Sequence, residues 1–415
     1  MPKKEGASLT LAAISAFCVY TCMFAFRKPF TAATFHELTF LSIDYKVWLV
    51  IAQTIGYTLS KFYGISFIGE LKLEKRPFYL LAFIGAAWIA LFFFAITPSP
   101  FNIFFLVLNG FALGIIYGIV FSYLEGRRST ELLGAVLATS FIFASGFTQS
   151  IGKYVLLNWN ISQWWMPFVT GTLFLFPTMF FTWLLNRTPK PTEADERQRT
   201  RRLPMTKEER KYFIRTFFPG LFLLIVTYVL LTIIREYRSN FASNIWTELG
   251  EGKNTAVFTQ SELPASLVTL FLLGLMVFIK SNRKALLINH LVIAIGFLIS
   301  IGSTLLYQAG SLPSFWWMTL VGTGMYMGYV PFNAMLFERL IASFKYVSNA
   351  GFLIYLADSF GYLGSDAVLL VKSFLHLKIS WSSFFETMVL LLSAAGLVLI
   401  GASAVYFRRK FSKKN

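Results

Sequence analysis

Stretches of about 20 apolar residues follow one another along almost all of this 415-residue chain, and each is long enough for a helix to cross a bilayer at 1.5 Å rise per residue. They run at roughly 8–35, 45–68, 78–96, 101–124, 131–156 and 165–186, then 212–246, 259–279, 285–307, 312–338, 345–375 and 381–407. In hydrocarbon every backbone N–H and C=O must be satisfied inside the segment, so these stretches predict an all-α membrane protein. Twelve spans put both termini on one side. The basic residues identify that side. Lys3 and Lys4, Lys72, Lys75 and Arg76, Arg127 and Arg128, the run 187–211, Lys280, Arg283 and Lys284, and Arg408, Arg409, Lys410, Lys413 and Lys414 all fall on the same face of the count. That face is the cytoplasmic one by the positive-inside rule. The intervening loops are short or mildly acidic, as with Glu37 and Asp44 or Glu248 and Glu251.

The net charge of +17 would suggest nucleic acid in a soluble chain, but here it lies in short loops between spans and reads as topology, so no nucleic-acid partner is expected. Cys18 and Cys22 share the first span and read as packed thiols. His36, His290 and His376 show no metal-ligand spacing, and neither metal nor cofactor is expected. The opening MPKKEGASLTLAAISAF imitates a signal peptide, yet the apolar run continues to Arg27, so it is read as the first helix. The long polar run, RTPKPTEADERQRTRRLPMTKEERK, makes residues 187–211 a cytoplasmic linker between an N-terminal half, 1–186, and a C-terminal half, 212–415. Its ERQRTRR segment reads as a solvated face, with a regulatory or anionic-lipid contact as the alternative.

The halves repeat one another. Tyr228 and Arg235 restate the spacing of Tyr20 and Arg27, and Gln53 and Gln260 stand as far apart as Arg76 and Arg283. The fourth and tenth spans both carry glycines at helical spacing, Gly110, Gly114 and Gly118 against Gly322, Gly324 and Gly328, which permits close backbone approach in lipid. Parallel six-helix repeats about an axis along the membrane normal are the arrangement of the major facilitator fold, with a central site alternately open to each side.

An arginine inside an apolar span faces a bundle interior or a wet cavity. Arg27, followed by Lys28 and Pro29, is therefore expected to line the centre, the alternative being a structural pair with Asp358; the proline is expected to kink the helix and free a carbonyl. Arg235 precedes Glu236 and Arg238 nearer the outer end, where an interfacial snorkel is the alternative; adjacent Glu236 is expected to face another way. Two such arginines in an internal repeat suggest one anion held between similar halves. Gln53, Tyr57 and Lys61 form one polar stripe at i, i+4 and i+8 of the second span. Asp358 is read as the one carboxylate far from the ends of its span, and as a counter-charge or a proton carrier. Lys153 and Lys372 are further candidates near helix ends, and Tyr20, Tyr228 and Tyr355 can donate hydrogen bonds to an anion.

The pattern Tyr20…Arg27-Lys28-x-Phe30, the second-span Gly56-Tyr57-x-x-Ser60-Lys61-Phe62 and Arg235 resemble the organophosphate:phosphate antiporters of the major facilitator superfamily, which include glycerol-3-phosphate and hexose-phosphate carriers. The resemblance implies that Arg27 and Arg235 grip a phosphate, that Lys61 assists and that Tyr20 and Tyr57 line the cavity. It implies a bacterial inner-membrane secondary transporter of an organic anion, with inorganic phosphate or protons as the coupled species. Two features depart from that family: the fifth span has no histidine near Phe143, and FIGELKLEKRP lacks the usual glycine-aspartate-arginine loop. The alternatives are a proton-coupled carboxylate, peptide or drug carrier, and a transporter-like sensor with 187–211 as its output surface. A monomer in contact with membrane lipids is expected, and no enzymatic constellation is evident.

Overall fold

The computed structural model describes residues 2–36, 38–124, 130–189, 207–344, 350–374 and 379–412. Most of the linker, together with Arg127, Arg128, His376, Lys413 and Lys414, lies outside the described residues. The apolar stretches are helices throughout: α1 Pro2–Phe24, α2 Tyr45–Glu70, α3 Arg76–Ile96, α4 Ile103–Gly114 continued by α5 Ile116–Leu124, α6 Thr130–Asn158 and α7 Met166–Asn186. The second half follows as α8 Lys207–Asn240, a short α9 Ala242–Glu248, α10 Val257–Val277, α11 Asn282–Gln308, α12 Ser314–Pro331 continued by α13 Phe337–Ser343, α14 Ala350–Phe374 and α15 Trp381–Ser412. Among the described residues, nine helices are long and apolar enough to cross a membrane on composition alone. Polar groups keep α2 out of that set, α1 is shorter in apolar length, and α12 is diluted by glycine, threonine and tyrosine. Side chains such as Phe101, Phe176, Phe278 and Val398 are outward and exposed, as lipid-facing positions require.

Four spans are interrupted among the described residues, the fourth of the chain at Ile115 between α4 and α5. The first helix stops at Phe24 rather than running past Arg27: residues 25–28 form a turn, and Pro29–Ala32 a 3₁₀ turn. Pro29 can head this turn because the first positions of a helix need no N–H partner. The seventh span ends at Asn240 and restarts at Ala242. In the tenth, a π turn at Phe332–Leu336 follows Pro331, whose missing N–H breaks the regular ladder.

By packing, the chain forms two compact units. Unit 1 comprises Met1–Arg199, Ser239–Glu262 and Leu369–Lys378; unit 2 comprises Thr200–Arg238, Leu263–Val368 and Ile379–Asn415. Inside unit 1, α2 and α4 cross at backbone contact. A Cβ on Gly56 would lie 2.0 Å from the Val107 carbonyl oxygen, and one on Gly110 would lie 2.1 Å from that of Gln53. Gly56→Ala is accordingly expected to lower stability in detergent by about 1–3 kcal/mol, since neither backbone can retreat; an unchanged melting temperature would show that the crossing is slack.

Candidate functional site

Unit 1 builds its polar centre around the break after α1. Ending the helix at Phe24 leaves carbonyls that no turn of α1 can satisfy, and side chains from neighbouring spans take them. Asn109 Nδ2 donates to Phe26 O at 3.0 Å and to Ala87 O at 3.1 Å. Gln53 Nε2 donates to Arg27 O at 3.0 Å and to Asn109 Oδ1 at 2.8 Å. The expected proline effect is therefore a full break with amide caps rather than a kink.

This fixed turn presents Arg27, 6% exposed, to the second span. Its guanidinium lies 4.0 Å from the centroid of the Tyr57 ring and 5.7 Å from that of Phe24. Lys61 Nζ sits 5.2 Å from the centroid of the same Tyr57 ring, so one aromatic ring serves two cations. Tyr20 is buried, within hydrogen-bonding reach of Tyr57 and electrostatic reach of Arg27. The predicted residues Arg27, Tyr57, Lys61 and Tyr20 are thus brought together in one unit.

Unit 2 repeats the motif of an arginine on a tyrosine. Arg235 is 9% exposed, so it is buried rather than snorkelling, with its guanidinium 4.3 Å from the Tyr329 ring and 5.8 Å from that of Tyr362. The expectation for Glu236 is corrected here. Its Oε1 lies 2.6 Å from Arg235 Nη2. Adjacent helical positions diverge by about 100°, but both side chains are long enough to swing together, and burial of both charges favours the contact. Arg235 Nε is buried with no hydrogen-bond partner among the described residues. Asp358 is buried and accepts a hydrogen bond from the Tyr228 hydroxyl, which also contacts the Tyr329 hydroxyl at 2.8 Å and Asn333. Tyr355 is half-buried one turn before Asp358 on α14.

A third cluster, in unit 1, was only partly legible. Lys46 heads α2, is 1% exposed and donates three hydrogen bonds, to Thr31 O and Ala33 O at 2.8 Å and to Asn244 Oδ1 at 2.7 Å. Lys28 Nζ donates to Asn240 Oδ1 at 2.6 Å, and Lys153 Nζ to Ser243 Oγ at 3.3 Å. Lys153 is buried, not snorkelling. Gln149 Nε2 adds bonds to Thr31 Oγ1 at 2.6 Å and to Ser239 O at 2.7 Å. Lys28 and Lys153 lie within electrostatic reach of Lys46. Lys372, also buried, lies within reach of Asp44 and Glu248. The 239–244 segment is thereby strapped to the 3₁₀ turn by amides, hydroxyls and ammonium groups. Lys46→Met leaves two carbonyls and Asn244 without their donor and is expected to cost about 2–3 kcal/mol, read as a lower melting temperature in detergent; Lys46→Arg, which keeps the donors, is expected to recover part of it.

Sequence reasoning missed Lys46, Asn109, Tyr329 and Tyr362. Tyr329 and Tyr362 carried no usable signal, because tyrosine is common in membrane spans.

The crystal structure of a D-xylose-proton symporter is similar to this chain with a TM-score of 0.60 at 15% sequence identity, over 94% of this chain and 96% of that one. The protein is therefore an all-α membrane protein with the major facilitator fold. No curated protein matches it in sequence. A family model matches residues 29–410, which take in α2 with Lys61, Arg235 with Glu236, and Asp358, and on that match the chain belongs to DUF5690, a family of unknown function.

Proposed function

We propose that this protein is a secondary transporter of a small organic anion, a phosphorylated metabolite being the class that best suits it, working by alternating access. One observation carries the reading: each unit holds a buried arginine whose guanidinium lies against a tyrosine ring, Arg27 on Tyr57 at 4.0 Å and Arg235 on Tyr329 at 4.3 Å. Stacking on the ring orients a planar fork whose N–H groups match two oxygens of a phosphate or carboxylate. Lys61, sharing the Tyr57 ring, adds a mobile point charge. The motif's resemblance to organophosphate:phosphate antiporters supports exchange against inorganic phosphate: an empty carrier with unneutralised cations would resist reorienting, and a second anion would release it.

A proton-coupled reading is favoured by a different observation, the Glu236 carboxylate already seated on Arg235. With that countercharge built in, the empty carrier needs no phosphate to return.

The deciding experiment is a thermal-shift screen of purified protein against sugar phosphates, glycerol phosphates, inorganic phosphate, nucleotides and carboxylates, followed by counterflow of every hit in proteoliposomes. Stabilisation by a phosphorylated solute together with its counterflow is the expected result. Stabilisation without counterflow overturns the carrier reading in favour of a sensor, and stabilisation by none of these anions overturns the anion reading.

A further inference from the structure

The Tyr329 ring on which Arg235 lies is itself held from α8. Tyr228 and Arg235 stand seven residues apart on that helix, which is two turns and therefore one face. α12 closes on α8 at Gly328, where a Cβ would lie 2.9 Å from Leu231 Cδ2, and this close approach brings Tyr329 against Tyr228. Their ring centroids are 5.0 Å apart with 26° between the planes, and their hydroxyls 2.8 Å apart. The same Tyr329 ring has its centroid 4.3 Å from the Arg235 guanidinium. On its other contacts, the Tyr228 hydroxyl donates to Asp358 Oδ1 on α14 and accepts from Asn333 Nδ2 at 3.2 Å, Asn333 being carried by the π turn Phe332–Leu336. A phenol oxygen has one proton to give and two lone pairs to accept with. Asp358, Asn333 and Tyr329 use all three, and Tyr228 is 1% exposed.

Unit 1 holds the same three parts. Tyr20, seven residues before Arg27, is within hydrogen-bonding reach of Tyr57, whose ring carries the Arg27 guanidinium at 4.0 Å. The second tyrosine comes from the second span there and from the fourth span of the other half here, so the arrangement recurs where the order of elements does not. We propose that Tyr228, anchored on Asp358, is a positioning residue of the anion site: it seats the Tyr329 ring under Arg235 and gives no hydrogen bond to the anion itself. A guanidinium stacked on a ring takes its plane from that ring. A ring free to change rotamer would leave the fork without a fixed direction for two oxygens. Asp358 acts in this as an acceptor oxygen, a part that an asparagine also plays. The binding step rests on the anion-carrier reading; the seating of the ring does not.

Two measurements test these separately. The first needs no solute: 3-fluorotyrosine placed at position 329 of the purified full-length protein reports the state of that ring by fluorine NMR. A single narrow resonance that broadens or splits in Tyr228→Phe and in Asp358→Leu, and is kept in Asp358→Asn, is the expected result. Tyr237→Phe, which removes another buried hydroxyl of α8, bonded to Trp381 O at 3.2 Å, controls for general loosening and is expected to leave the resonance as it is. A resonance unchanged in Tyr228→Phe overturns the proposal, as does one disturbed equally by Tyr237→Phe or by Asp358→Asn. The second is titration calorimetry with glycerol 3-phosphate, glucose 6-phosphate and gluconate as probes. Tyr228→Phe is expected to weaken the probe that binds by about three- to tenfold, the scale of one neutral hydrogen bond. Added to Tyr329→Leu it is expected to cost nothing more, because Tyr228 acts through that ring. Losses that add in the double variant overturn positioning in favour of direct contact with the anion. If wild type binds none of the probes while the resonance behaves as expected, the anion reading fails and the seating of the ring stands.

Discussion

Arg27→Lys is expected to leave the protein folded and membrane-inserted while weakening a phosphorylated solute by about ten- to a hundredfold. The turn that carries residue 27 is capped by Gln53 and Asn109 through backbone carbonyls, and those caps are kept when the fork is replaced. Lysine keeps the charge and can still approach the Tyr57 ring, but it replaces two parallel N–H donors by one ammonium. Losing one charge-assisted hydrogen bond of about 1.5–3 kcal/mol gives the stated range, because every 1.4 kcal/mol is about a factor of ten. Arg27→Ala, removing charge and fork together, is expected to cost about 2–5 kcal/mol. Isothermal titration of the strongest hit from the thermal-shift screen checks both. Wild-type affinity in Arg27→Lys would remove this residue from the site.

Glu236→Leu is expected to produce the largest loss of stability, about 3–5 kcal/mol, because it leaves the Arg235 guanidinium buried without the carboxylate 2.6 Å away. Arg235→Met alone is expected to be nearly as damaging, leaving Glu236 buried at 3% side-chain exposure. The double variant Arg235→Met/Glu236→Leu replaces both ions by apolar side chains of similar size and is expected to recover most of the loss while binding no anion. That recovery separates the stability of the pair from its function: a buried ion pair is poor value for stability and is retained where the charge has a task. Unfolding of the three variants in detergent, followed by tryptophan fluorescence, checks the coupling. Additive single losses in the double variant would mean that the two side chains do not depend on one another.

Arg27, Lys61, Tyr20 and Tyr57 were legible as two pairs, Tyr20 with Arg27 in the first apolar span and Tyr57 with Lys61 on the polar stripe of the second, and the family resemblance joined the pairs. The breaks were not legible. A proline after Arg27 is compatible with a kinked helix or with a turn, and what decides between them is whether amides from other spans can reach the exposed carbonyls. Gln53 and Asn109 are far from Phe26 and Arg27 in the chain, and only packing brings them there. Glu236 was misjudged for a related reason. Helical spacing reports the direction of Cα–Cβ bonds, whereas the meeting of two long charged side chains is settled by how little solvent and how few competing partners surround them.

The order of apolar spans and the internal repeat of Tyr20–Arg27 in Tyr228–Arg235 were determined by the sequence alone, because lipid admits few ways to satisfy a backbone and punishes a stray charge. Tertiary structure alone decided which polar groups share a site: Lys46 with Asn244, Asn109 with the carbonyls beyond α1, and Asp358 with Tyr228. Those pairings join residues from different spans, and in a low-dielectric interior a charge is held by whichever partner the packing brings within a few ångströms, however distant in the chain.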